Sequence, residues 1–342
     1  MSDKTREDVE ILGVNHTLAI DPDSLNEAGV VWAPAVRALA AAVAPVVVAE
    51  AEARRSSYAV ASSSSAVDSS TDRAHTMRIL ELGAGTGALG IALACAVPDV
   101  RVTLTDLDAV VPLLRTNADA TRDAGKLARG SELRVAELAW SRDAVLGLDD
   151  APGDAADAAA GGGGVDRRDG GARWDVVLGC EILYWGGWDV FADDTRGPLL
   201  EACVAACEAG GGAEWGAEWG AEWGAASSPP TLVALAFTVR DKARESGYVA
   251  GDFGEKFWLR LLDADAFRRE TDETDARRMD AEARARIEAA EEGDLLVLGA
   301  VAKKSAAGAR MASAVVGASV GSSGGEGGTG RRRAIDRELE ET

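Results

Sequence analysis

The sequence predicts an α/β domain: a mostly parallel sheet with helices on both faces, interrupted by low-complexity loop insertions. Three observations lead there. From residue 77 onward short β-branched runs alternate with alanine- and leucine-rich helical stretches, an order that builds parallel sheets whose crossovers cover both faces. The first strand-like run ends in a glycine-rich turn, Glu81-Leu82-Gly83-Ala84-Gly85-Thr86-Gly87. The next strand-like run ends at a single carboxylate, Asp106.

Taken in order, Gly29-Val30-Val31-Trp32 leads into an apolar stretch over 33–49 with Pro34 suited to a first helical turn, which predicts a helix. The serine-rich segment 56–70 has the composition of a loop. Strands are expected at 77–82, 100–105, 133–140, 174–183, 231–239 and 294–301. Helices are expected at 88–97, 107–121, 199–207 and 254–262. The interruptions are compositional: 149–171 is rich in Gly, Ala and Asp, and 213–224 is three copies of Ala-Glu-Trp-Gly. A four-residue period is too short for a solenoid unit. Because each doubling of a loop costs only about 0.6 kcal/mol in closure entropy, such insertions read as expanded surface loops. The expected organisation is an N-terminal extension (1–28), one domain (29–304, with insertions near 55–76, 141–173 and 209–230) and a disordered Gly/Ser/Ala-rich tail (305–342).

With 47% hydrophobic residues among 342, the chain can bury a substantial core. Its 57 acidic against 36 basic residues give a formal charge of -21, the wrong sign for general nucleic-acid binding. A basic partner fits better. The two histidines, His16 and His75, lie far apart, and Cys95, Cys180, Cys203 and Cys207 show no CxxC spacing. Neither a zinc site nor a disulfide framework is expected. The charged first ten residues do not read as a signal peptide, and the uncharged run 38–49, with Pro45 inside it, falls short of the ~20 residues that span a bilayer. The expectation is a soluble protein of the cytoplasm, with no membrane partner and monomeric by default. Arg331-Arg332-Arg333 is a weak nuclear-import signal.

The glycine-rich turn follows a predicted strand and opens a predicted helix, the context in which such a turn binds a nucleotide. Asp106, 23 residues beyond Gly83, can accept hydrogen bonds from both hydroxyls of a ribose. A nucleoside-bearing cofactor is implied. Gly85-Thr86-Gly87-Ala88-Leu89-Gly90 also satisfies the dinucleotide pattern, which leaves NAD open, but two details favour S-adenosyl-L-methionine. Glu81 stands where a carboxylate can meet a cationic methionyl amino group and would sit badly beside a pyrophosphate. The whole string Glu-Leu-Gly-Ala-Gly-Thr-Gly is also what methyltransferases carry.

Gly29 to Trp32, Leu80 to Gly87, Thr105-Asp106-Leu107-Asp108, Trp140, and Asp175-Val176-Val177-Leu178-Gly179-Cys180-Glu181-Ile182-Leu183-Tyr184 occur in one order. With them the chain resembles the class I, seven-strand methyltransferases, and specifically the methyltransferase-like protein-lysine methyltransferases (methyltransferase family 16). The resemblance implies a Rossmann-like, mostly parallel seven-stranded sheet and S-adenosyl-L-methionine as cofactor. It implies that Trp32 closes over the cofactor and that Glu81, Gly83, Gly85 and Gly87 form the methionine-side turn. It further implies that Asp106 holds the ribose, Trp140 lies beside the adenine and Cys180 lines the pocket.

The family's acceptor signature is Asp-x-x-Tyr, and this chain has Glu181-Ile182-Leu183-Tyr184. The resemblance implies that Glu181 and Tyr184 are catalytic and that the substrate is a protein presenting a lysine. The longer Glu side chain leaves open a histidine acceptor, because a histidine-methylating branch carries Glu there, and the same fold also serves small molecules. Lysine, with a reference pKa of ~10.4, must be bound, relieved of its proton and aimed. A carboxylate and a phenol suit that task, with alignment supplying most of the acceleration. Trp185 and Trp188 are candidates for a channel wall. After the next strand Thr238 replaces a family Glu, and Arg240 reads equally as a site residue or a surface ion pair, so it stays outside the catalytic set. Phe257 and Trp258 are expected to pack rather than to contact a substrate.

Overall fold

The computed structural model describes residues 5–24, 28–62, 76–148, 174–183, 195–208, 231–262 and 273–303. Most of the Gly/Ala insertion, the Ala-Glu-Trp-Gly repeat and the tail from 305 lie outside these residues.

Seven strands form one sheet: β3 (Met77–Leu82), β4 (Val100–Asp106), β5 (Glu132–Glu137), β6 (Val176–Cys180), β7 (Leu232–Thr238), β8 (Phe257–Leu261) and β9 (Leu295–Ala302). Their order is β5-β4-β3-β6-β7-β9-β8, with β9 antiparallel to both β7 and β8 and the other neighbours parallel. Helices α1 (Ala33–Ser62), α2 (Ala88–Ala96) and α3 (Val111–Asp123) contribute Leu39, Val43, Leu93 and Leu114 to the core on one face. On the other face lie α4 (Arg142–Leu146), α5 (Arg196–Glu208) and α8 (Glu273–Ala289), contributing Val145, Leu199, Cys203, Ala283 and Ile287. The short helices α6 (Lys242–Gly247) and α7 (Gly254–Lys256) flank a π-helical turn, Tyr248–Phe253. The doubly wound, mostly parallel seven-stranded fold expected from the sequence is borne out.

The segment expected as a helix over 254–262 is not one. After the single turn of α7 the chain runs out as β8, pairing Phe257 with Ala302 and Leu261 with Leu298. The pattern is a strand's: Phe257 and Leu259 join one core while Trp258 points away beneath Lys303 Nζ, 4.7 Å from its ring. Phe257 stacks on Phe253 at 4.5 Å, so both aromatics pack, as expected. As an edge strand β8 needs cover. It receives it from α8, whose Asp280 carboxylate accepts the Leu259 N–H at 2.8 Å. The sequence did not reveal α8, because its buried stripe of Ala276, Asp280, Ala283 and Ile287 carries only one large apolar residue.

Two further departures lie at the N-terminus. Helix α1 runs on to Ser62, past the start of the loop expected from Ser56. Its Ala33–Ser56 part is, by length and composition alone, long and apolar enough to cross a membrane, longer than the uncharged run suggests because Arg37 and Glu50 do not end the helix. The stripe Val36, Leu39, Ala40, Val43, Val47 and Ala51 is buried in the domain core.

Residues 1–28, set aside as an extension, contain an antiparallel hairpin of β1 (Thr5–Ile11) and β2 (Val14–Ile20). Its turn, Leu12-Gly13, has φ of 53° and 75°, the left-handed pair of a type I′ connection whose twist suits two-residue hairpins. Asn117 of α3 docks the hairpin. Its Oδ1 accepts the Ala19 N–H at 2.7 Å, and its Nδ2 donates to the carbonyls of Ala19 (3.0 Å) and of Thr86 in the glycine-rich turn (2.9 Å). Asn117→Ala strands three buried backbone groups. We expect it to lower unfolding free energy by about 2–3 kcal/mol in denaturant titration, and a loss under about 0.5 kcal/mol would show that the hairpin is not anchored there.

Candidate active site

The sheet order reverses at β3, whose neighbours are β4 and β6, and ligands of doubly wound sheets bind at the carboxyl ends of strands at such a switch point. A cavity of about 410 Å³ opens there, lined by Trp32, Glu81, Gly83, Gly85, Asp106, Trp140, Cys180 and Glu181 among others, within the roughly 300–1,000 Å³ of small-ligand sites. Seven of the eight expected cofactor residues thus line one cavity. The exception is Gly87, which caps α2 at φ 79° and faces Leu114, Ile91 and Leu104 instead. Its role is to shape the turn.

Local geometry explains the turn. Gly85 has φ 55°, and a Cβ there would come within 2.5 Å of the Ala28 carbonyl oxygen, so only glycine lets 28–32 cross over the turn. The Ala84 N–H donates to the Thr105 carbonyl at 2.9 Å, and the Thr105 hydroxyl to the Glu81 carbonyl at 2.6 Å, fastening the turn to β4. Asp106 accepts the N–H groups of Gly85 (2.7 Å) and Leu107 (2.8 Å). A carboxylate has about four acceptor sites, so capacity remains for two hydroxyls. Burial pushes its pKa up while the two amides pull it back.

Glu81 is 2% exposed and accepts one hydrogen bond, from Gly90 N at 2.9 Å. Burial first, with the Asp106 charge adding to it and the Gly90 bond opposing it, pushes its pKa up to about 8. Burial, followed by the Glu181 and Glu81 charges, raises the Cys180 thiol well above its ordinary value. That thiol is neutral and lines the wall rather than attacking a substrate.

The acceptor side lies past β6. Glu181 sits at φ 56°, a conformation that costs a non-glycine residue of order 1–3 kcal/mol and persists where surroundings impose it. Its N–H continues the ladder to the Ala236 carbonyl at 2.7 Å. Thr238 holds the side chain, donating its hydroxyl to Oε1 at 2.7 Å and its N–H to Oε1 and Oε2 at 3.1 and 3.3 Å. Arg240 Nη1 lies 2.7 Å from Oε2, and its guanidinium lies over the Trp32 ring at 5.0 Å. Arg240, left aside in the sequence, is therefore part of the site. Its signal was its place two residues past Thr238, at the end of a core strand. Tyr184, Trp185 and Trp188 fall outside the described residues.

The donor set fits S-adenosylmethionine. Three carboxylates, Glu81, Asp106 and Glu181, line the cavity, which favours a cation carrying a sulfonium and an ammonium and disfavours a pyrophosphate. Val110, Leu138 and Trp140 give the lining apolar and aromatic surface, the kind a nucleobase packs against. Among the described residues no three His, Cys, Asp or Glu side chains gather as metal ligands would.

The fold and this site define a nucleoside-cofactor enzyme of the S-adenosylmethionine-dependent methyltransferase class. Residues 15–151 match the family model described as lysine methyltransferase, and over that segment the resemblance read from the motifs holds. The match spans the cofactor half and ends before β6. No curated protein matches the chain. Among solved structures it is similar to a predicted O-methyltransferase from Agrobacterium tumefaciens (14% identity, 66% of this chain and 74% of that one, TM-score 0.33). It is also similar to PKMT2 from Rickettsia typhi in complex with AdoHcy (14%, 51% and 23%, 0.27). A third is magnesium protoporphyrin IX methyltransferase from Synechocystis with bound SAM (12%, 66% and 70%, 0.31).

Asp106→Ala removes the acceptor for two hydroxyls, and we expect it to weaken S-adenosylhomocysteine binding by about 1.5–3 kcal/mol in calorimetry. Unchanged affinity, or NAD binding in its place, would contradict this assignment.

Proposed function

We propose that the protein transfers a methyl group from S-adenosylmethionine to the side-chain nitrogen of a lysine on a protein substrate. The observation that carries this reading is a buried acceptor-side carboxylate, Glu181, lining the same cavity as Glu81 and Asp106. The cofactor, when bound, supplies an electrophilic methyl carbon and leaves as a neutral thioether. Glu181, fixed by Thr238 and Arg240, has an acceptor site left for an N–H of the incoming amine. In this reading Tyr184, the second residue of the family signature, is the other acceptor-side group. The amine's proton goes to water, and alignment supplies most of the rate. A net charge of -21 favours a basic protein as partner, and the setting we propose is a monomer in the cytoplasm.

One observation favours a second reading: Glu181 carries one methylene more than the Asp of the family signature, a reach that suits an imidazole acceptor. Incubating lysate with the purified protein and methyl-labelled S-adenosylmethionine, then mapping the labelled residue by mass spectrometry, tests both. Label on lysine supports the first reading, label on histidine the second, and label confined to small molecules overturns both.

A further inference from the structure

Arg240 touches the two halves of the site at once. On the acceptor side it pairs with Glu181, whose side chain is 4% exposed. On the cofactor side its guanidinium carbon lies over the Trp32 ring, 5.0 Å from the centroid, and Trp32 lines the cavity at the start of α1. Its own base is fixed: buried Glu245 of α6 accepts the Arg240 N–H at 2.7 Å and the Asp241 N–H at 3.3 Å, and the Val239 N–H donates to the Asp294 carbonyl at 2.9 Å. A planar, permanently charged group on an anchored loop suits a connecting role, because guanidinium stacks on an indole and pairs with a carboxylate together, which an ammonium does less well.

We propose that Arg240 is a positioning residue that couples the cofactor wall to the acceptor carboxylate, so that seating Trp32 and setting Glu181 are one event. The proposal rests on the methyltransferase reading above. Glu181 occupies a left-handed conformation, and Arg240 with Thr238 provides the surroundings that hold its carboxylate there. When Trp32 is displaced, the guanidinium loses its ring and the carboxylate loses a fixed partner. Thr238 still holds the carboxylate, but the support that Arg240 adds to it is fixed only while Trp32 is seated.

The test is a double-mutant cycle on the full chain, with S-adenosylhomocysteine affinity by calorimetry and turnover as separate readouts. Arg240→Ala should weaken cofactor binding by about two- to fivefold, the scale of a partly exposed cation–π contact. Turnover should fall by more than about tenfold through Glu181. In a Trp32→Leu background the same change should leave cofactor affinity unmoved. Arg240→Lys keeps the charge and loses the plane, so under the coupling cofactor affinity and turnover should both stay below wild type, and turnover that recovers while affinity stays weakened would overturn it. If Arg240→Ala lowers the melting temperature, Arg240→Gln carries the cycle. Equal losses of affinity in the Trp32 and Trp32→Leu backgrounds overturn the coupling alone, whereas wild-type protein that fails to bind S-adenosylhomocysteine overturns both the coupling and the reading beneath it.

Discussion

Glu181→Ala is expected to remove most turnover, about a hundredfold or more, while cofactor affinity stays within about threefold because the lost contact lies on the acceptor side. The side chain is held by Thr238 and Arg240 rather than loose in solvent, so its removal deletes a fixed acceptor and also releases the guanidinium. Glu181→Gln separates these effects: it keeps the shape and discards the charge. Tyr184→Phe, which keeps the ring, should cost about 1–2 kcal/mol in the transfer barrier. Glu181→Asp is the most informative change. It restores the family residue but draws the carboxylate back by a methylene from Thr238 and Arg240. Retained activity identifies a lysine acceptor, and lost activity points to an imidazole that needs the longer reach. Transfer by Glu181→Ala at the wild-type rate would exclude the proposed role.

The cofactor half of this site was legible because its chemistry is local. A turn that must pass beneath 28–32, a carboxylate at the end of β4 and one near the end of β3 are each fixed by a few consecutive residues, and the strands they terminate are short, buried runs rich in Ile, Leu and Val. The acceptor half was legible only in part. Glu181 announced itself by following β6, but its partners Thr238 and Arg240 are 57 and 59 positions away and meet it through strand pairing. The edge of the sheet was misread for a related reason. Phe257 to Leu261 is too short for period alone to decide between helix and strand, and what decides it is pairing with β9, a non-local event. The β1–β2 hairpin had a signal, Asp8-Val9-Glu10-Ile11 alternating with the pleat. Its high charge hid the two buried positions.

The burial of Glu81 predicts a pH dependence that can be read in binding and in folding. With its pKa pushed from an ordinary carboxylate value to about 8, Glu81 is mostly protonated near neutrality in the ligand-free protein. Pairing with a methionyl ammonium requires the ionised form. Cofactor binding near pH 7 should therefore release close to one proton, and affinity should rise up to about tenfold per pH unit until the pH reaches the pKa. Folding carries the opposite sign. Between about pH 4.5 and 8 the unfolded carboxyl has lost its proton and the folded one keeps it, so the native state binds more protons and stability falls as pH rises. Above about 8 the slope from this group ends. Asp106 and Glu245 are also shifted upward by burial, so the isolating comparison is wild type against Glu81→Gln. The variant should lose this slope in its melting curve and release no proton on binding, as read by calorimetry in buffers of different ionisation enthalpy. If wild-type protein binds S-adenosylhomocysteine at pH 7 without releasing a proton, Glu81 is not the group that meets the amine, and the methionine end of the ligand lies elsewhere in the cavity.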